Sequence, residues 1–417
     1  MKKFLSLFLT CLLIATLFVA CGEKVPASVS QYKAEGEFTP VQNKLSWEAI
    51  DALPKKSANM TEDEMRQLVV DFYNYSKTVV WVAGSDVTYQ VNTALGRNTL
   101  RTGTVYAGMP YVSLGSGNIY RLMDYMDTEK GVLDAASAGQ VETLFGNQCS
   151  ISTFWAWGRV MNSANYCYTK DAVVNNGFLR VGDYTYPDDV KEFSAVYGTL
   201  SVQQDNGEEV IFESYAQTKK GDGMVHNNQS GHIIMLTGDT VVVRDAEGKI
   251  DPENSYMIYS DQNTPWRTDT NAQGDTYNYT SGVDKQMSFR KAFDKYYVPF
   301  TFKEFAGLDP VEETEVSYSH SGETLSRSQL FGSKITANYS LSDIYVQIFD
   351  KKGNEVYKLA VRATVPTIYE LTFTEEGENV IAWGSLDNVT ADSTAKVYVQ
   401  LATGERPTLW EGKFIAE

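Results

Sequence analysis

A cysteine, a histidine and a carboxylate or amide, in that chain order, are the side chains from which a thiol acyl-transfer site is built. This chain offers one such set. Cys149 lies in the stretch Leu144–Val160, LFGNQCSISTFWAWGRV. His232 opens the apolar run Gly231-His232-Ile233-Ile234-Met235-Leu236-Thr237, and Asp261, Gln262 and Asn263 close the run that starts at Tyr256. In such a set the thiolate attacks a carbonyl carbon, and the imidazole takes the thiol proton and returns it to the leaving amine. A carboxylate or amide on the other ring nitrogen fixes the tautomer. The chain has only three histidines, so the list of bases is short. His226 follows a Gly-Asp-Gly turn and reads as a loop residue; beside Asp222 it has no second ligand pair at zinc spacing. His320 sits in a Ser/Gly-rich turn and reads as exposed and inert. Ser-His-Asp hydrolysis lacks its Gly-x-Ser-x-Gly elbow. The set calls for no metal and no cofactor.

Elements must position these groups. Ile151, Phe154 and Trp155 recur at helical spacing with Met161 one step beyond, which predicts a core helix starting at Cys149. Unpaired N–H groups and the positive end of the dipole at that start favour a thiolate. The competing reading of Cys149 is a small buried hydrophobe, or half of a disulfide to Cys167. Trp155 and Trp157 read as core. The His232 run predicts a strand, Val241–Arg244 a second and Tyr256–Asn263 a third. Histidine at the start of one strand and acid at the end of a nearby antiparallel strand can face each other at one sheet end. Upstream, Thr61–Glu64 is a capping box, and Met65, Leu68, Val69 and Phe72 continue an amphipathic helix to about Lys77. Gly108-Met109-Pro110-Tyr111 is a turn, and Tyr106 and Tyr111 beside it read as cleft wall or core. Ile119, Leu122, Met123 and Met126 form another helical stripe. Asn165–Ser194 reads as loop-rich, and Thr264–Ser281 as a long polar loop.

Lys2 and Lys3 precede an apolar run, Phe4–Ala20, as in a secretory signal. It closes on Leu17-Phe18-Val19-Ala20-Cys21-Gly22, which resembles a bacterial lipobox. That resemblance implies cleavage before Cys21, a lipid on its sulfur and an extracytoplasmic protein tethered to the cell membrane or outer membrane. Residues 1–21 are then the signal and 22–45 a tether. A net charge of −17 disfavours nucleic acid as a partner. Hydrophobic content of 43% and charged content of 21% are those of a globular chain. From about Leu308 the pattern changes to short alternating runs, Ile344/Val346/Ile348, Tyr369/Leu371/Phe373 and Val397/Val399/Leu401, separated by turn signals. These predict an antiparallel β-sandwich over 308–417, with a spacer or adhesion role.

Three islands resemble the papain-like cell-wall peptidases and amidases of the NlpC/P60 and CHAP superfamily. Asn147-Gln148-Cys149-Ser150 is similar to their helix start, Gly231-His232-Ile233-Ile234-Met235 to their Gly-His-Val strand, and Ser260-Asp261-Gln262-Asn263 to the CHAP Ser-Glu-x-Asn strand end. Gly108–Tyr111 is similar to a Gly-x-Pro-Tyr segment that lines their clefts. The resemblance implies an α+β fold: a papain-like domain over 46–307, then an Ig-like sandwich. It implies Cys149 as nucleophile, His232 as base, Asp261 as orienter assisted by Asn263, and Tyr106, Tyr111, Gln148 and Gln262 facing substrate. Asp261 stands one methylene short of the CHAP glutamate, so Gln262 is a second candidate orienter. The implied activity is hydrolysis of amide bonds, in peptidoglycan peptides, through a Cys149 acyl-enzyme. The alternative is a catalytically inactive surface lipoprotein that holds a glycan or protein.

Overall fold

A computed structural model of the chain describes residues 44–415, leaving out 93–95, 114, 128, 134–145, 163–165, 175–176, 188, 192, 195, 229 and 271–275. The signal, the lipobox with Cys21 and the tether to residue 43 lie outside the described residues. No helix among the described residues is long and apolar enough to cross a membrane.

The fold is mixed α+β, with strands predominating. The first part carries α1 (Trp47–Asp51) and α2 (Glu62–Thr78). Thr61 and Glu64 cap α2 with both reciprocal bonds of the capping box, and Met65, Leu68, Val69 and Phe72 are buried on its inner face. Strands β1 (Val80–Ala83), β2 (Val87–Asn92), β3 (Gly96–Leu100) and β4 (Val105–Ala107) follow. Next come a short α3 (Ile119–Met123), β5 (Met126–Asp127), β6 (Val132–Leu133) and the cysteine helix α4 (Cys149–Trp157). β7 (Phe178–Arg180) precedes α5 (Thr199–Ala216), which is interrupted at Gly207, where φ is 80°. Then come β8 (Gly223–Asn228), β9 (Ser230–Leu236), β10 (Tyr256–Thr270), β11 (Thr276–Ser288), α6 (Phe289–Asp294) and β12 (Val298–Phe302). One ten-stranded sheet collects most of these, in the order β5-β6-β1-β4-β11-β10-β9-β8-β12-β7.

Two expectations are corrected here. Thr264–Ser281 is not a polar loop, since β10 and β11 run through most of it as a hairpin. Its Thr and Tyr residues suit an extended, ladder-bonded backbone, and Pro265 falls where the register shifts between Gln262 and Arg267, a place where a missing N–H is tolerated. Val241–Arg244 is not a strand. It makes only isolated bridges, Val241 to Tyr256 and Arg244 to Ile250, and Val241 and Val243 are exposed.

The last part carries β13 (Val316–Tyr318), β14 (Thr324–Ser326), α7 (Arg327–Leu330), β15 (Lys334–Ala337), β16 (Leu341–Phe349), β17 (Glu355–Arg362), β18 (Glu370–Thr372), β19 (Val380–Gly384), β20 (Thr394–Leu401) and β21 (Thr408–Ile415). They form a six-stranded sheet, β14-β21-β20-β16-β17-β19, and a three-stranded sheet, β13-β15-β18. The predicted alternation is seen: Ile344, Val346, Ile348, Val397, Val399 and Leu401 are all fully buried.

This region does not hang off the first part as a spacer would. Ile151 and Trp155, on one face of the cysteine helix, pack into the apolar core of the two C-terminal sheets. Burying each is worth roughly 1.5–3 kcal/mol. Beside them α3 and the residue after it plug charges into β16 and β17. Arg121 donates to Asp343 Oδ1 at 3.0 Å and to the carbonyls of Ser342 and Ala363. Asp124 accepts from Lys358 and Arg362, each at 2.7 Å, and from the Tyr345 hydroxyl. Burial pushes the Asp124 carboxyl up, but the two cations outweigh it and hold it below the usual range.

Candidate functional site

The site forms where α4 meets β9 and β10. α4 lies on β9, so the Cys149 thiol at the helix start faces the first residues of that strand. β9 and β10 are antiparallel, with Ser260 paired to Met235, so the polar end of β10 runs toward the start of β9. The apolar run Ile233–Leu236 is fully buried and fixes this register; a slip by one residue would turn every side chain to the other face.

His232 and Cys149 act on each other electrostatically: the ring lowers the thiol and the thiol raises the ring. His232 Nε2 lies 3.4 Å from Asp261 Oδ2. Asp261 is held from every side. Its Oδ1 accepts from the Gly282 N–H at 3.0 Å and from Lys285 Nζ at 3.1 Å, and its Oδ2 accepts from Asn263 Nδ2 at 3.3 Å. Thus Cys149, His232, Asp261 and Asn263, expected to act together, do come together.

The electrostatics follow from the contacts. Burial pushes the Cys149 thiol up, but His232 and the N–H groups of Ile233 and Ser150 more than cancel this, and the net shift is downward. For His232, burial works against the charged ring, while Cys149 and Asp261 outweigh it and raise the group to about 9. Burial likewise opposes the Asp261 carboxylate, but His232 and Lys285 hold it well below the usual range. All three shifts run in the direction that favours a thiolate beside an imidazolium and an ionised aspartate. Cys149 is only 6% exposed. Cys149 and Cys167 are both free thiols, and the disulfide alternative is not formed.

Gln148 is the N-cap of α4, and its side chain makes no capping bond. No side chain therefore satisfies the first-turn N–H groups from the cap position. The half-buried Gln148 amide instead lies 3.5 Å from the Tyr166 hydroxyl, which is 3.2 Å from Ser150 Oγ. Tyr111 is half-buried, and Asn147 beside Cys149 pairs with it in a short bridge. Burial raises its hydroxyl to about 12, and the charge on Cys149 adds to this. Gln148 and Tyr111 therefore border the thiol.

Two expected substrate contacts do not. Tyr106 lies on β4, 4% exposed; its ring stacks on Trp81 and its hydroxyl accepts from the Arg101 N–H, so it is core. Gln262 is fully buried and points away from His232. Its Nε2 donates to Met109 O, and its Oε1 accepts from Ser281 and Lys77. That also removes it as an orienter. Alternation along β10 sends Asp261 and Gln262 to opposite faces, and only one can reach the imidazole.

Some neighbours had no readable signal. Tyr166 is fixed by Thr367 of the C-terminal region, whose Oγ1 accepts from the Tyr166 N–H at 2.6 Å. Thr367 holds a φ of 70°, a strained value for a β-branched residue. Tyr168, 61% exposed, meets Tyr166 edge to face. His226 is not in a loop. It sits on β8 directly opposite His232, with its ring against Tyr297. Burial, the charge of His232 and Lys295 lower it to about 4, so it stays neutral beside the charged pair. Asp222 is engaged by Arg66 and does not face it as a metal ligand.

Gly282 leaves a testable mark. A Cβ there would fall 1.8 Å from Lys285 Cε and 2.6 Å from Asp261 Oδ1. Gly282→Ala is expected to displace both and to slow Cys149 chemistry roughly a hundredfold. Alkylation of Cys149 at pH 6, with a melting curve alongside, checks this; an unchanged rate would show that the Lys285–Asp261 contact does not position His232.

No family model, curated protein or solved structure matches this chain.

Proposed function

We propose that this protein is a lipid-anchored cysteine peptidase or amidase of the cell envelope, with a papain-like NlpC/P60–CHAP-type core and an Ig-like C-terminal sandwich. The observation that carries the reading is the Cys149–His232–Asp261 group, a thiol at an uncapped helix start facing the strand whose imidazole contacts a buried carboxylate at 3.4 Å. The thiolate attacks the amide carbonyl. The α4 N–H groups receive the oxyanion, His232 protonates the leaving amine, and water then hydrolyses the Cys149 acyl-enzyme. Gln148, Tyr111 and Tyr166 lie around the thiol. Peptidoglycan stem peptides are the proposed substrate, on the strength of the sequence islands and the lipobox that would hold Cys21 at the envelope. The reading needs no cofactor and no nucleic acid.

The thiolate–imidazolium pair exists between two limits. Its acidic limit is the lowered Cys149 value, and its alkaline limit is the loss of the His232 proton at about 9. Turnover should therefore rise on a limb below the ordinary thiol range and fall near pH 9. Iodoacetamide labelling of the Cys149 peptide between about pH 5 and 9 reads the acidic limb, since an ordinary thiol ionises at about 8.5. His232→Ala should return that limb to the ordinary range. A thiol indifferent to His232 would refute the hydrolase and favour a ligand-holding protein.

A further inference from the structure

Behind the triad lies a lysine that the chemistry above does not use. Lys77, in the last turn of α2, is 2% exposed. Its Nζ donates to Ser152 Oγ at 2.6 Å and to Gln262 Oε1 at 3.1 Å, and lies 4.1 Å from the centre of the Tyr73 ring. Ser152 is about one helical turn beyond Cys149, and Gln262 is the residue after Asp261. One side chain therefore ties the helix that carries the nucleophile to the strand that carries the acid. The Gln262 amide cannot turn away without losing its bonds to Met109 O and Ser281 Oγ.

Among the described residues no carboxylate bonds Lys77. The negative groups whose charge reaches it are Asp261 of β10 and Cys149 of α4. Those two are bound in turn by His232 from β9 and Lys285 from β11, and Tyr73 faces it from its own helix. Burial pulls Lys77 down to about 7, against the attraction of Asp261 and Cys149. A buried ammonium with neutral acceptors is costly, so its retention next to a thiolate calls for a role.

We propose that Lys77 is a positioning residue for Cys149: its ammonium holds α4 and β10 in register and supplies, from behind, positive charge that keeps the sulfur ionised. The proposal rests on the reading of Cys149, His232 and Asp261 as a reactive triad. The two protons are linked: the thiolate favours the Lys77 ammonium, and the ammonium favours the thiolate to the same degree. Losing the Lys77 proton loosens the helix–strand tie and withdraws the charge together.

The test is peptide-resolved iodoacetamide labelling of Cys149 from pH 5 to 10 in the full mature chain, with melting curves, for wild type, Lys77→Met and Lys77→Arg. Lys77→Met is expected to move the acidic limb up by about one pH unit, a roughly tenfold slower rate at pH 6. Lys77→Arg, always charged, is expected to restore the limb. A Lys77→Met limb that coincides with wild type overturns the proposal whatever the melting temperature. If Lys77→Met does not fold, Ser152→Ala carries the test by removing one acceptor. A smaller upward shift supports the role, and an unmoved limb overturns it. The outcomes also separate the two readings. A low, His232-dependent limb without wall-peptide cleavage refutes the substrate alone. An ordinary limb near 8.5 in wild type refutes the triad and this proposal with it.

Discussion

Cys149→Ala is expected to lower amide hydrolysis by on the order of 10⁴-fold or more while leaving the fold in place. The side chain lost is small, and the helix that carries it is anchored elsewhere. Phe154 and Trp157 are buried in the core of the first part, and Ile151 and Trp155 in the core of the C-terminal sheets. Removing the sulfur therefore takes away the proposed nucleophile but none of the groups that hold the helix. His232→Ala should approach the same loss, since groups that act as a unit fail together. The check is release of new amines from purified wall peptides, with circular dichroism to confirm folding. Retained turnover in Cys149→Ala would remove the assigned nucleophile.

The largest expected effect on stability lies away from the thiol. Asp124→Ala would leave Lys358 and Arg362 buried without the carboxylate that bonds both at 2.7 Å. Removing one partner of a buried ion pair costs about 3–5 kcal/mol, because the charge left behind has lost its compensation. The Tyr345 hydroxyl loses its acceptor as well. Because these contacts join α3 to β16 and β17, the loss weakens the whole seam between the two parts. Urea unfolding should show a midpoint shift of that size, whereas a shift below about 1 kcal/mol would mean that the pair behaves like a solvated one. The thiol should respond too, since Ile151 and Trp155 of the cysteine helix are packed at the same seam.

Much of the site was legible because its parts are local. A capping box followed by residues at helical spacing identifies α2, and an apolar run that opens on histidine identifies β9. A cysteine ahead of an aromatic stripe identifies the start of α4, where N–H groups are unpaired whatever the fold. The order of cysteine, histidine and acid in the chain was enough to single out residues that the fold brings together.

What only the tertiary structure decided is which faces meet. Asp261 and Gln262 are adjacent in sequence, and the side-chain period of a strand sends them to opposite sides. Pairing with β9 and β11 then chooses Asp261 for the imidazole and buries Gln262 against Lys77. Tyr106 and Tyr111 flank one turn; stacking on Trp81 draws the first into the core, and pairing with Asn147 keeps the second beside the thiol. Lys77 and Tyr166 carried no signal, because a lysine at the end of a helix and a tyrosine in a loop are ordinary by type. The C-terminal region looked like a separate spacer because strand alternation is a local pattern. Its docking onto α3 and α4 arises from single residues, Arg121, Asp124, Ile151 and Trp155, whose partners lie some two hundred residues away in the chain.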